Sequence, residues 1–146
     1  MTRPRVYVAL PLPDEAIARV LDACEVSRYE RRGQPTHDEL IEAVADAEGV
    51  LGSAMLPVDA GVLDAAPRLR VVSNFGVGFD NVDVAAATAR GILVCNTPGV
   101  LSDAVADLTI GLIISLARRL SEAERFVRAG SWLPGKVVRL GNDLRG

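Results

Sequence analysis

The first hundred residues alternate short runs of β-forming residues with stretches whose apolar positions recur every three or four residues. The runs predict five strands, at residues 5–10, 25–30, 49–52, 69–73 and 92–95. A helical pattern follows each strand along the chain. This alternation is typical of a parallel sheet with helices on both faces. It predicts a flavodoxin-like, doubly wound α/β domain of about five strands.

Local signals mark where two of these helices begin or end. Thr36 lies three residues before Glu39, which is the spacing of a capping box. Asn81 or Asp83 can start the fourth helix, and Gly91 suits the position just after its end. The strand at 25–30 is more polar than the others, which predicts an edge position.

From residue 102 to residue 129 the pattern predicts one long helix, capped by Ser102 or Asp103 and about 40 Å long. It could be the last helix covering the sheet, or a connector that braces another domain or a partner subunit. We expect Leu112 and Leu116 to be buried against such a partner. The predicted division is a domain over 1–100, a connector over 101–130 and a tail over 131–146.

Composition narrows the class of protein. Of the 146 residues, 49% are hydrophobic and 24% charged, which excludes intrinsic disorder. A net charge of −3 argues against a nucleic-acid surface. The sequence shows no leader pattern and no apolar run of about 20 residues, so we expect a cytoplasmic protein with no membrane segment. Cys24 and Cys95 have no partner at metal-ligand spacing, and no metal is predicted.

Candidate chemistry concentrates at the end of the fourth strand, in Ser73-Asn74-Phe75-Gly76-Val77-Gly78-Phe79-Asp80-Asn81-Val82-Asp83. The glycines allow backbone N–H groups to approach a ligand, and the helix start that follows favours an anion. A small-anion site and a plain structural turn both fit. A dinucleotide site fits least, because Asn81 stands where Gly-x-Gly-x-x-Gly has its third glycine.

No complete catalytic set is visible. The only histidine, His37, lies among helix-start residues and is most simply a solvated side chain. Carboxylates near the loop are explained by helix capping more simply than by acid–base chemistry. We therefore predict no catalytic residue in this chain.

Three blocks at a consistent spacing carry a family resemblance. They are Ala65-Ala66-Pro67-Arg68-Leu69-Arg70-Val71-Val72, Gly76-Val77-Gly78-Phe79-Asp80-Asn81-Val82-Asp83 and Asn96-Thr97-Pro98-Gly99-Val100-Leu101-Ser102-Asp103-Ala104-Val105-Ala106-Asp107. With them the chain resembles the D-2-hydroxyacid dehydrogenases, the group with glyoxylate and hydroxypyruvate reductases, hydroxyphenylpyruvate reductase and phosphoglycerate dehydrogenase. The resemblance implies a two-domain enzyme that uses NAD or NADP to interconvert a 2-oxo acid and a D-2-hydroxy acid.

The resemblance also implies roles for individual residues. The backbone N–H groups of Val77 and Gly78 hold the substrate carboxylate, and Gly76 shapes their loop. Asn74 and Phe75 border the substrate, with Ala54 on the opposite wall of the cleft. Val105 is expected to lie against the nicotinamide, and the helix over 102–129 is expected to join two copies of the chain in a homodimer.

In that family the nucleotide-binding loop and the catalytic Arg, Glu and His come after the connector. This sequence stops at residues 143–146, where the Rossmann cofactor domain is expected to begin. We therefore expect the domain that binds NAD or NADP to be absent from this chain, no tight cofactor binding and no activity. The alternative is a non-catalytic module of the same fold that binds a small anion or mediates dimerisation.

Overall fold

The computed structural model describes residues 2–144, and the chain divides into two compact units, one ending at Pro98 and the other beginning at Gly99. The first unit is a five-stranded parallel sheet. Its strands are β1 (Arg5–Val8), β2 (Glu25–Arg28), β3 (Gly49–Ser53), β4 (Val71–Phe75) and β5 (Leu93–Cys95). Their order is β2-β1-β3-β4-β5, which is the flavodoxin-like arrangement, with β2 at one edge. The fold and the edge position of β2 are confirmed.

Four α-helices alternate with these strands: α1 (Ala18–Ala23), α2 (His37–Val44), α3 (Ala60–Ala65) and α4 (Val84–Ala89). A 3-10 turn at Asp14–Ile17 precedes α1. The capping box is confirmed, since the Thr36 hydroxyl accepts from the Glu39 N–H and the Glu39 carboxylate accepts from the Thr36 N–H. The Thr36 N–H, with a smaller contribution from Arg31, holds the pKa of Glu39 below its ordinary value.

Alternation along the strands produces two hydrophobic clusters. Tyr7, Val50 and Val72 point to the face covered by α2, α3 and α4, where they meet side chains such as Leu40 and Val62. The next residue along β1, Val8, joins Ile17 in a smaller cluster with partly buried residues of α1. Because successive strand residues face opposite sides, one four-residue strand contributes to both clusters.

The structure places β4 two residues later than predicted, and this difference matters for the site. Pairing with β3 continues to Gly52 opposite Asn74 and Ser53 opposite Phe75. The hydropathy pattern predicts that the strand ends at Ser73, because the next residue, Asn74, is polar and is typical of a loop. The ladder nevertheless carries Asn74 into the buried end of the sheet, where its side chain is 2% exposed.

The second unit contains two helices rather than the single helix predicted over 102–129, so that prediction is wrong. They are α5 (Ser102–Ala117) and α6 (Leu120–Arg128). Arg119 between them has φ +55°, a left-handed conformation that ends α5. The predicted cap is also wrong, because Leu101 occupies the N-cap position and no side chain bonds to it.

A segment from the tail contacts the chain at the break between α5 and α6. The Asn142 N–H donates to the Ala117 carbonyl at 2.7 Å, and the side chains of Arg118 and Asp143 lie 3.2 Å apart. Gly141 approaches so closely that a Cβ there would collide with the Ala117 carbonyl and the Arg118 backbone. The pattern of apolar residues within the helix contains no trace of this partner.

Candidate functional site

The candidate site lies in the first unit, at the carboxyl ends of β3 and β4. We define the anion loop as residues 76–80, which follow β4 directly. The exit loop is residues 54–57, which follow β3. Val77 in the anion loop is 58% exposed, and Gly76 and Gly78 are half-buried. In a parallel sheet of this kind, ligands bind at this edge, so the loop stands where the fold favours a site.

Two backbone N–H groups of the anion loop are available to a ligand. Within residues 2–144, the N–H groups of Val77 and Gly78 donate to no other protein group. Backbone N–H groups normally have a partner, either in the protein or in water. Two adjacent N–H groups at or near the surface without a protein acceptor are therefore suited to bind an anion.

Only one of the two glycines is required by close packing. A Cβ on Gly76 would lie 3.2 Å from the Cβ of Ala54, whereas a Cβ on Gly78 would meet nothing closer than an Asp80 carboxylate oxygen at 3.8 Å. Gly76 therefore allows the anion loop to lie against the exit loop; its role in shaping a binding loop stays a prediction. Gly78 has no such packing role, and its missing side chain leaves space beside its own N–H group.

Asn81, which directly follows the anion loop at the position of the third glycine, links β4 to the end of β3 and to the exit loop through its side chain. Its amide donates to the Leu56 carbonyl at 2.7 Å and to the Ser53 carbonyl at 3.3 Å. Its Oδ1 accepts from the Asn74 amide at 3.0 Å. The backbone repeats this linkage, because the Val58 N–H donates to the Asn81 carbonyl. A dinucleotide-binding turn needs a glycine here, so the anion loop does not fit that role.

The start of α4 contributes less to the anion loop than the sequence predicts. Asp83 is the N-cap, as expected, and its carboxylate accepts from the Ala86 N–H at 2.8 Å. This helix end is therefore already capped by a negative charge of the chain itself. The donors that the loop itself offers to an anion are its own N–H groups.

The other predicted site residues lie in different surroundings. Phe75 at the end of β4 and Ala54 at the start of the exit loop are both exposed, where a ligand could contact them. The Asn74 side chain is buried and bonds to Asn81 and to the Gly78 carbonyl, so it supports the loop from behind. Val105 lies on α5 in the second unit, and its role beside a nicotinamide stays a prediction.

His37 is paired rather than simply solvated. Its Nε2 lies 3.0 Å from an Asp59 carboxylate oxygen, which connects the start of α2 to the N-cap of α3. The pKa of Asp59 is lowered, mainly by the hydrogen bond from the Val62 N–H; burial opposes this shift, and His37 adds to it. Among residues 2–144 no group of three or more His, Cys, Asp and Glu side chains could hold a metal ion. Over the same range, no helix is long and apolar enough to cross a membrane.

Comparison with known proteins identifies the family. The profile described as "D-isomer specific 2-hydroxyacid dehydrogenase, catalytic domain" matches residues 6–134. The chain therefore belongs to the D-2-hydroxyacid dehydrogenase family of oxidoreductases, which confirms the resemblance in its sequence blocks.

Relatives within this family are glyoxylate reductases. The enzyme of Thermofilum pendens is 42% identical over 133 residues, covering 90% of this chain and 39% of the relative. The enzyme of Korarchaeum cryptofilum is 38% identical over 146 residues, covering 99% of this chain and 44% of the relative. A crystal structure is known of an NADPH-dependent glyoxylate/hydroxypyruvate reductase from Sinorhizobium meliloti in complex with NADP and malonate. That protein is 38% identical to this chain, and the two structures match with a TM-score of 0.77 over 99% of this chain and 44% of the relative. The chain thus spans about two fifths of the length of these proteins.

The difference in packing between Gly76 and Gly78 can be tested by measuring the free energy of unfolding of an alanine variant at each position. Gly76→Ala should lower the free energy of unfolding by roughly 1–2 kcal/mol, because its Cβ forces the anion loop away from Ala54. Gly78→Ala, the matched control, should change it by less than about 0.5 kcal/mol. Urea unfolding followed by circular dichroism measures both. Equal losses in the two variants would contradict the packing argument.

Proposed function

We propose that this chain is the substrate-binding part of an NAD(P)-dependent D-2-hydroxyacid dehydrogenase, which reduces a small 2-oxo acid of the glyoxylate or hydroxypyruvate type. The observation that carries the proposal is the pair of N–H groups at exposed Val77 and half-buried Gly78, which have no acceptor in the described chain. The Sinorhizobium meliloti relative is described with malonate, a small carboxylate, and with NADP. A cytoplasmic location stays a prediction.

The chemistry of these residues is binding and orientation. Two N–H groups donate to the carboxylate of a 2-oxo acid, and hydrogen bonds to a charged acceptor are stronger than neutral ones. A carboxylate held at the loop fixes the adjacent carbonyl carbon, which is how positioning accelerates a reaction. Phe75 and Ala54 border the space that remains. The exposed carboxylate of Asp80 opposes an anion, so we expect the loop alone to bind weakly, on the order of millimolar.

The anion loop itself does not fit a dinucleotide, because Asn81 stands at the position of the third glycine and its side chain is bonded to β3, β4 and the exit loop. No step of the reaction is therefore assigned to a cofactor held by this loop. In the proposed complete enzyme NAD or NADP supplies hydride. The residues of this chain hold and orient the acid, and none is given a catalytic role.

The proposed partner is a second copy of the chain, bound through residues 102–129. α5 carries apolar side chains around most of its circumference, and Leu112 and Leu116 are 54% and 79% exposed. A helix that is hydrophobic on all sides is normally buried. This surface also favours the second candidate function, a non-catalytic module that binds a small anion or mediates dimerisation.

Titration with oxalate, a non-reacting analogue of glyoxylate, tests the proposed function. In the ¹⁵N-labelled chain, oxalate should shift the amide signals of Val77 and Gly78 saturably, because those N–H groups gain a charged acceptor. Acetamide, a neutral molecule of similar size, is the control and should shift neither. Absence of shifts, together with tight self-association, would favour the dimerisation module.

The 146-residue chain alone is expected to be inactive. Purified chain mixed with glyoxylate or hydroxypyruvate and NADH or NADPH should show no loss of absorbance at 340 nm above the rate without protein. The reason is that the anion loop does not fit the cofactor and no residue here is assigned a proton-donor role. Turnover that depends on both protein and glyoxylate would overturn this expectation.

Self-association should depend on the apolar surface of α5. Leu112→Glu is expected to convert a dimer into a monomer in sedimentation equilibrium, because it places a charge in the proposed interface. Met55→Glu replaces an exposed apolar side chain of the first unit and serves as the matched control. A monomeric unmodified chain would refute the proposed partner.

A further inference from the structure

Three consecutive carbonyl groups of the anion loop each accept a hydrogen bond. The Gly76 carbonyl accepts from the backbone N–H of Thr97 at 2.9 Å. The Val77 carbonyl accepts from the side-chain amide of Asn96 at 2.8 Å, and the Gly78 carbonyl from that of Asn74 at 2.6 Å. Three successive peptide planes are therefore fixed at their carbonyl ends.

Fixing a carbonyl also fixes the direction of the N–H group in the same peptide. The peptide bonds here are trans, and in a planar trans peptide the C=O and N–H groups point in opposite directions. The bond from Thr97 to the Gly76 carbonyl thus orients the N–H of Val77. The bond from Asn96 to the Val77 carbonyl orients the N–H of Gly78.

We propose that Asn96 is a positioning residue of the anion site, which directs the Gly78 N–H toward the ligand by holding the carbonyl of the same peptide. This inference rests on the proposed function. It adds that the segment after β5 supports both donors, one through the Thr97 backbone and the other through the Asn96 side chain. Without Asn96 the Gly78 peptide can rotate, and binding must then include the cost of ordering it.

Asn96 can be tested because its bond lies at the surface. Asn96 is half-buried and its acceptor belongs to exposed Val77, so water can replace the amide when the side chain is removed. The corresponding bond from Asn74 is unsuitable, because that side chain is buried and its loss leaves polar groups of the interior without partners.

The experiment compares Asn96→Ala with the unmodified 146-residue chain by oxalate titration of the ¹⁵N-labelled protein. Affinity should fall about 3- to 10-fold. The oxalate-induced shift at the Gly78 amide should fall more than that at Val77, whose peptide is still held by Thr97. The unfolding temperature should change by less than about 3 °C. Asn142→Ala is the control, since Asn142 bonds through its backbone and should leave affinity unchanged.

The outcomes separate the inference from the proposed function. If oxalate shifts neither amide in the unmodified chain, the proposed function fails, and this inference fails with it. If oxalate binds the unmodified chain and Asn96→Ala equally, with the same shift at Gly78, only the inference is overturned. A lower unfolding temperature with amide shifts throughout the sheet would make Asn96 a structural residue, which also overturns it.

Discussion

Parallel pairing of β3 with β4 is the interaction on which the candidate site depends. The ladder runs without interruption to Ser53 opposite Phe75, so both strands end at the same level of the sheet. Their loops consequently leave side by side, close enough for Gly76 to contact Ala54 and for Asn81 to bond to two carbonyls of the neighbouring segment. A shorter ladder would separate the two loops and leave the asparagine side chains without partners.

At this site the side-chain amides of two asparagines hold the chain in place, and the backbone of the anion loop offers the free hydrogen-bond donors. Asn74 and Asn81 bond to each other and to backbone carbonyls, which satisfies polar groups at the end of the hydrophobic core. Their position behind the anion loop leaves the N–H groups of Val77 and Gly78 on its open side. Recognition of an acid by backbone donors needs no charged side chain, which is consistent with a loop whose neighbouring ionisable residues in the sequence, Asp80 and Asp83, are themselves acidic.

Much of the fold was predictable because it is encoded locally. Alternating β-forming runs and helical periodicity gave the parallel α/β sheet, and the box between Thr36 and Glu39 followed from spacing alone. The blocks around Gly76 and Asn96 identified the family, which the profile over residues 6–134 confirms. The end of β4 was not predictable, because a polar Asn74 within a strand is explained only by partners elsewhere in the chain.

The roles of the asparagines at the site were not predictable either, because their hydrogen-bond partners also lie elsewhere in the chain. Asn81 and Asn96 find their acceptors 25 and 19 residues away, in loops that only the folded sheet brings together. One feature of the sequence does point to this role: an asparagine in place of the third glycine of a turn indicates that its side chain forms hydrogen bonds within the fold. The single helix over 102–129 is wrong for a related reason: the apolar repeat continues past Ala117, but the helix stops there, where the Asn142 N–H bonds to the Ala117 carbonyl.

That interruption has a consequence for the geometry of the second unit. The Ala117 carbonyl accepts from the Asn142 N–H, and the backbone at Gly141 lies directly against the residues that join α5 to α6. In an uninterrupted helix that carbonyl would accept from the N–H four positions ahead. The segment around Gly141 therefore supplies, from outside the helix, a hydrogen bond to the turn at which α5 ends.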